Sequence, residues 1–174
     1  MGELIDIFDK DWNPTGEVLE KSEAERQGKW HRAAHVWIVN PKGELLLQLR
    51  GPNAKEYPNM WDISAAGHVR AGETVERAGI REMKEELGID ITEDRLIFIS
   101  KDQSSKNQHL HTAFLIELDL PTDAFTFNDH EVADVKYMHW KELAKMDDET
   151  MLANNILPHK GFVPLFAYLS SHGY

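Results

Sequence analysis

The sequence predicts an α/β fold in which one mixed β-sheet is accompanied by few helices. Most apolar segments are short and rich in β-branched and aromatic residues, which is typical of strands. One segment near the middle has clear start and stop signals for a helix instead. A chain of 174 residues with 41% apolar residues has the size and composition of one globular domain. We therefore expect a single domain over 1–174, with a strand/helix extension at 1–29 and a core at 30–174.

The elements can be justified in chain order from their composition. A short apolar start at 4–8 is followed by a turn-rich stretch that holds Pro14 and Gly16. A hairpin turn at 41–43 then separates two apolar runs. The predicted strands are 31–40, 44–50, 60–64, 95–100, 109–118 and 131–140. The predicted helices are 21–27, 74–87, 140–146 and an amphipathic helix from 162 onward, whose apolar residues recur at three-and-four spacing.

The helix over 74–87 has the clearest signals. Thr74 is a candidate N-cap, and Gly88 follows the last turn as a stop signal. At about 100° per residue, one arc of this helix is apolar and should be buried. That arc contains Val75, Gly79, Ile80, Met83 and Leu87.

Three glutamates form one acidic stripe beside the apolar arc: Glu82, Glu85 and Glu86. Their position predicts that Glu86 is partly shielded from water. Glu82 and Glu86 are like charges four residues apart, which destabilises a helix by about 0.2 to 0.5 kcal/mol. A bound cation explains this cluster better than folding alone, and Mg²⁺ is the kind of ion that takes carboxylate, carbonyl and phosphate oxygens.

The charge balance excludes several classes of partner. With 30 Asp and Glu against 19 Lys and Arg, the net charge is -11, which repels nucleic acid and anionic membranes. An anionic substrate would need a bridging cation. Because the chain has no cysteine, thiol chemistry and disulfides are excluded. The first residues do not have the pattern of a secretory signal, so we expect a cytoplasmic protein.

A longer motif surrounds the glutamates. Gly67 is followed after five residues by Glu73, and after seven more by the run 81–89, Arg-Glu-Met-Lys-Glu-Glu-Leu-Gly-Ile. This pattern resembles the Nudix box at every fixed position. The resemblance implies a Nudix fold, an α/β/α sandwich with a central mixed β-sheet. It also implies metal-dependent hydrolysis of a small-molecule diphosphate, such as a nucleoside diphosphate linked to another group.

The resemblance also implies roles for individual residues. Glu82, Glu85 and Glu86 would hold Mg²⁺ or Mn²⁺, together with the carbonyl group of Ala66. Arg81 and Glu73 would brace the loop before the helix against the helix. The general base varies in this family. Glu82 is the first candidate for it here, and Glu131 is the second.

The segments before the motif are similar to a second branch of the same superfamily, the isopentenyl-diphosphate isomerases. The similarity lies in 31–35, 46–50, Pro58, Trp61 and 66–68. Those isomerases have a catalytic cysteine immediately before the Gly-His pair, where this chain has Ala66. We therefore expect a hydrolase on an isomerase-like frame. An isomerase and a non-catalytic nucleotide-binding regulatory module remain the alternatives.

A second metal site is a further hypothesis from the isomerase resemblance. His31, His68 and Glu131 match its ligand positions, with Asp129 as a weaker fourth, but Ala24 stands where another histidine is expected. The alternative is that His31 and His68 are polar groups of the pocket that contact phosphate.

Other candidate residues lie outside these motifs. Arg50 and Lys55 are candidates for the distal phosphate. For His109 and His111, alternation on a half-solvated strand is a simpler explanation than metal binding. A homodimer is compatible with the sequence.

Overall fold

A sheet of nine strands forms the centre of the computed structural model, which describes residues 2–127 and 131–174. The strands are β1 (Leu4–Phe8), β2 (Pro14–Glu20), β3 (Trp30–Val39), β4 (Glu44–Arg50), β5 (Trp61–Asp62), β6 (Ala65–His68), β7 (Ile97–Ser104), β8 (His109–Glu117) and β9 (Val132–His139). The α-helices are α1 (Lys21–Gln27), α2 (Val75–Leu87), α3 (Trp140–Leu143), α4 (Asp148–Ala153) and α5 (Phe162–Ser171). Among these described helices, none has the length and apolar character needed to cross a membrane.

The sheet is mixed, as predicted, and β3 lies at its centre. β3 runs parallel to β8 and antiparallel to β1, β4 and β6, while β4 also pairs with β5 and β9. Because side chains alternate along a strand, β3 contributes to two cores. Trp37 packs in a core with residues of α5, and Val36 packs with Met83 and Leu87 of α2 on the other face. The predicted sandwich of helices around a mixed sheet is confirmed.

The sheet divides between β5 and β6. β5 pairs with β4, whereas β6 pairs with β3, so the chain changes partner strand within two residues. Ser64 lies at this crossing and is fully buried. Its hydroxyl donates to the Leu46 carbonyl at 2.6 Å and accepts from the Ile38 amide at 2.8 Å. These bonds satisfy backbone groups of β3 and β4 where the ladder opens.

Several predicted elements differ from the structure. The turn-rich stretch with Pro14 and Gly16 is the strand β2, in which proline is tolerated because it is the first residue of an edge strand. The predicted strand 60–64 is the two-residue strand β5, and β6 follows where a loop was expected. Helix α3 ends at Leu143 rather than at 146. Helix α4 was not predicted, because its six residues are too few to show a helical period.

Helix α2 begins and ends where the sequence predicts. The Thr74 hydroxyl accepts from the Arg77 amide at 3.2 Å, and Gly88 has the left-handed conformation with φ 70°. Its buried face is rotated from the predicted one, because Glu82 and Glu86 are buried while Val75 and Ile80 are only half-buried. The predicted shielding of Glu86 from water is found and is more complete than expected, since its exposed fraction is 4%. Packing against β6, rather than hydrophobicity, decides which face of α2 is covered.

Candidate active site

A cleft with a volume of about 740 Å³ opens where the sheet divides. Two groups of polar side chains line it. The first is the carboxylate cluster, which we define as Glu82, Glu85 and Glu86 of α2. The second is the histidine cluster, which we define as His31, His35, His68, His109, His111 and His159. His31 is fully buried behind the other five, which reach the cleft surface.

The carboxylate cluster is held against β6. Glu86 accepts a hydrogen bond from the Ala66 amide at 3.1 Å and another from the Gln48 side chain at 3.2 Å. Glu82 lies over Gly67, where an added Cβ atom would be 2.0 Å from its Oε1 atom. Glycine at position 67 is therefore required by the close approach of this carboxylate.

Arg81 connects the helix to the loop before it. Its Nε and Nη2 atoms donate to the two oxygens of Glu73, both at 3.1 Å, and Nη2 also donates to the His68 carbonyl at 2.8 Å. Its Nη1 atom donates to Glu82 at 2.5 Å and to Glu85 at 3.1 Å. Glu73 also accepts from the Arg70 amide at 3.0 Å. The two residues proposed as a brace are thus in direct contact, and they link α2, β6 and the intervening loop.

The negative charge of the carboxylate cluster is not fully compensated by the described residues. Burial raises the pKa of Glu82 to about 7, although Arg81 opposes this shift. Burial and the charge of Glu82 raise the pKa of Glu86 well above its usual range. Among the described residues, Glu86 has no ion-pair partner, since its two hydrogen-bond donors are neutral amides. A hard divalent cation such as Mg²⁺ or Mn²⁺ fits this set of oxygen donors.

The histidine cluster is a product of strand register. His31 of β3 lies opposite His109 of β8, and Ala33 lies opposite both His111 of β8 and His68 of β6. Ring centroids of neighbouring imidazoles are 4.4 to 6.0 Å apart along the whole cluster. The predicted alternation holds at the start of β8, where His109 and His111 are partly exposed and Leu110 and Thr112 are buried, whereas most of the rest of the strand is buried on both faces.

Three members of this cluster could hold a metal ion. The ligand atoms of His31, His68 and His109 all lie within 4.8 Å of one another. The Nδ1 atom of His31 contacts the Lys29 carbonyl at 2.8 Å, and its buried Nε2 atom has no partner among the described residues. Burial lowers the pKa of His68 to about 2 and that of His109 to about 3. Neutral imidazoles of this kind are ligands for ions such as Zn²⁺.

In the hypothesis of a second metal site, His109 therefore takes the place of Glu131 as the third ligand. The structure brings His31 and His68 together with His109, whereas Glu131 lines the cleft on the side of Glu86 and contributes to the raised pKa of that carboxylate. Asp129 lies outside the described residues.

The two basic residues predicted to meet the distal phosphate differ in position. Arg50 lines the cleft and donates from Nη1 to Asp62 at 3.0 Å. The side chain of Lys55 is 90% exposed, and its Nζ atom is 3.7 Å from Glu25. In the part of the chain that the structure describes, Lys55 is not one of the residues lining the cleft.

Sequence reasoning did not find Asp62, Gln48 or His159, which all lie at or near the cleft. An aspartate inside an apolar strand segment was a usable signal for Asp62. Nothing near His159 in the sequence indicates its role, because its partner Asp62 is 97 positions away.

Comparison with known proteins adds the family. Residues 29–160 match the model of the NUDIX domain. The chain belongs to this family. It is 36% identical over 151 residues to Nudix hydrolase 3 of Arabidopsis thaliana, a match that covers 80% of this chain but 20% of that protein. It is 34% identical over 142 residues to an uncharacterised Nudix hydrolase of Listeria monocytogenes, covering 79% of this chain and 80% of the relative.

The isomerase-like frame also appears in these comparisons. The chain is 30% identical over 138 residues to the isopentenyl-diphosphate Δ-isomerase of Escherichia coli, with 75% of this chain and 72% of that protein covered. Among solved structures, DR0079 from Deinococcus radiodurans has a TM-score of 0.74 at 22% identity, covering 95% of this chain and 99% of that one. This likeness shows the Nudix fold alone. The chain spans a fifth of the plant relative.

Proposed function

We propose that this Nudix protein is a hydrolase that depends on Mg²⁺ or Mn²⁺ and cleaves a small-molecule diphosphate compound by attack of water at phosphorus. The observation that carries the proposal is the carboxylate cluster, in which Glu82 and Glu86 are buried. Glu82 and Glu86 lie in one cleft, and both have raised pKa values. Among the described residues, no cationic side chain forms an ion pair with Glu86. Folding alone does not favour such an arrangement, because buried carboxylates repel each other.

Each residue of the motif has a distinct part in this proposal. Glu82, Glu85 and Glu86 would hold the cation, with the carbonyl group of Ala66 as a further ligand. When bound, such a cation neutralises the diphosphate and lowers the pKa of the attacking water. Arg81 keeps Glu82 and Glu85 in place through its Nη1 atom, while Glu73 fixes the guanidinium group.

A proton must leave the attacking water, and we assign its acceptance to Glu82. This carboxylate is buried, lies in the cleft and is oriented by Arg81. Glu131 is the alternative acceptor, because it lines the same cleft near Glu86. A general base contributes roughly 10²- to 10⁴-fold to such a reaction, so the Glu82→Gln and Glu131→Gln variants would distinguish the two.

The decisive experiment measures phosphate or nucleoside monophosphate release across a panel of nucleotides and other diphosphates, with Mg²⁺ and with Mn²⁺. The Glu85→Gln variant should lose activity by roughly a hundredfold, because the cation loses a carboxylate. Glu76→Gln is the matched control, since Glu76 lies on the same helix but does not line the cleft. A Glu85→Gln variant with full activity would contradict the proposal.

The isomerase alternative is favoured by the 30% identity to an isomerase, but Ala66 occupies the position of the catalytic thiol and the chain has no cysteine. Incubation with isopentenyl diphosphate, followed by NMR, should show no dimethylallyl diphosphate. A regulatory module would instead show tight nucleotide binding in calorimetry and no hydrolysis under any metal condition.

A further inference from the structure

A buried aspartate joins three segments at one end of the cleft. Asp62 of β5 accepts from Arg50 Nη1 at 3.0 Å, from the His159 ring at 2.7 Å and from the Ile63 amide at 2.8 Å. Burial by itself would raise its pKa, but the contacts with His159, Ile63 and Arg50 together lower it. Asp62 therefore stays ionised, and its charge is balanced by a guanidinium group. No part of the Nudix motif contributes to this arrangement.

The second partner, His159, belongs to the segment before α5 and is fixed in place. That segment is tied to β5, since Leu157 donates to the Trp61 carbonyl at 2.9 Å and Trp61 donates to the Asn155 carbonyl at 2.7 Å. The imidazole ring of His159 packs edge-on against Trp37 and Phe162. The bond to Asp62 uses its Nε2 atom, which leaves Nδ1 as the ring nitrogen without a bond to Asp62, and the residue lines the cleft.

Arg50 also keeps donors for a ligand. Its Nε atom donates to the Glu56 carbonyl at 3.0 Å and its Nη1 atom to Asp62, which fixes the guanidinium plane and leaves Nη2. Lys160, which follows His159 in the chain, lines the same cleft. Among the described residues, the charged groups around His159 are thus Asp62, Arg50 and the adjacent Lys160, whose Nζ atom donates to the Gln103 carbonyl at 3.1 Å. The imidazoles facing it are His35 and, beyond it, His111. A guanidinium group held in a fixed plane is well suited to phosphate oxygens.

We infer that Arg50 and His159, held by Asp62, form a subsite for a phosphoryl group of the substrate that is not bound by the cation at the carboxylate cluster. The inference rests on the proposed function and narrows its substrate class. The substrate would be a diphosphate compound with an additional phosphoryl group outside the diphosphate that is cleaved. A hydrocarbon group would bury these polar side chains without partners, which is unfavourable.

The test uses sulfate as the probe, because it has the shape of phosphate and can be titrated by calorimetry into the full chain with a chelator present. His159→Gln should bind sulfate about tenfold more weakly than the wild type, because a neutral amide replaces an imidazole ring that can donate from both nitrogens. Glutamine can still donate to Asp62, which preserves the fold. Arg50→Lys should also weaken sulfate binding, because lysine keeps the charge but lacks the planar fork. His172→Gln, at an exposed position outside the cleft, is the matched control and should bind sulfate normally.

Asp62 is a positioning residue in this inference, and nitrogen-15 NMR can report on it. With sulfate bound to the wild type, His159 should carry a proton on both ring nitrogens, because Nε2 donates to Asp62 and Nδ1 must donate to sulfate. Asp62→Asn should reduce the population of this doubly protonated form. Equal sulfate affinity in the wild type and in both His159→Gln and Arg50→Lys would overturn the inference, as would a wild type that does not bind sulfate. Because no metal or turnover is needed, these results are independent of whether the chain hydrolyses diphosphates. With an active enzyme, His159→Gln should raise KM for doubly phosphorylated substrates and leave kcat nearly unchanged.

Discussion

The carboxylate cluster and the histidine cluster share one cleft but meet burial in opposite ways. Burial disfavours the charged form of a carboxylate, and neighbouring carboxylates add repulsion, so the pKa values of Glu82 and Glu86 rise. Buried imidazoles lose their proton instead, so the pKa values of His68 and His109 fall. Burial of Glu86 therefore favours binding of a cation beside it, whereas burial of His68 and His109 favours the neutral imidazole. A site that combines them can hold a hard cation on one side and present neutral or hydrogen-bonding groups on the other.

The two clusters also differ in how the chain builds them. The three glutamates lie within five consecutive positions of α2, so local helix geometry is sufficient to bring them together. The six histidines come from β3, β6, β8 and the segment before α5. Only the register of the sheet and the docking of the segment before α5 make them neighbours. Each of the following experiments perturbs one of the two clusters.

Of the three experiments that compare the clusters, the largest effect is expected from Gly67→Ala. The added methyl group would overlap the Glu82 carboxylate, whose Oε1 atom is 2.0 Å from the site of the new Cβ. If Glu82 binds the cation as proposed, displacing its carboxylate should lower Mn²⁺ affinity and kcat/KM by roughly tenfold or more. Electron paramagnetic resonance titration with Mn²⁺ would measure the affinity. Gly161→Ala is the control, because open space surrounds that position. Unchanged Mn²⁺ binding in Gly67→Ala would show that the close approach of Glu82 does not matter.

The histidine cluster should make the protein sensitive to acid. His68 has a pKa of about 2 in the folded state against 6.5 when exposed, so the unfolded chain binds more protons between these values. Its contribution to stability is present above pH 6.5 and is lost as the pH falls. His68→Gln should therefore lose less unfolding free energy on acidification than the wild type. The difference should approach about 1.4 kcal/mol per pH unit below the ordinary histidine pKa. Denaturant titrations at several pH values, with His172→Gln as control, would measure this difference. If the free energy of unfolding of His68→Gln and of the wild type changed equally with pH, the lowered pKa of His68 would be contradicted.

The carboxylate cluster should have the opposite and smaller pH signature when metal is removed. Glu82 has a pKa of about 7 in the folded state against 4.5 when exposed, so its contribution to stability is present below pH 4.5. That contribution is lost as the pH rises from 4.5 to about 7. In a chelating buffer, Glu82→Gln should show a smaller loss of stability over this pH range than the wild type. In a buffer with Mg²⁺ and no chelator, the wild type should show the same smaller loss. Because Arg81 already offsets part of the shift, the change in Tm should be only a few degrees, at about 2 to 4 °C per kcal/mol. A Tm profile that Mg²⁺ leaves unchanged would argue against a cation at this cluster.

Much of the fold and of the motif could be predicted from the sequence. Helix α2 has its cap at Thr74 and its stop at Gly88 because these signals act within one turn. The bounds of α1 and β4 and the mixed sheet also agree with prediction. The sequence predicted partial shielding of Glu86, but it could not predict the nearly complete burial of Glu82 and Glu86, because a helical wheel contains no information about the packing of β6 and Gly67 on that face.

The sequence by itself determined the carboxylate cluster, since residues three and four apart on a helix are neighbours wherever the helix is placed. Tertiary structure alone decided the histidine cluster and the contact of Asp62 with His159. Those groups meet through strand register and through a segment 97 positions away. The physical reason is the separation of the contacting residues along the chain. Helix periodicity is a local property, whereas contacts between distant segments depend on strand pairing and packing in the whole sheet.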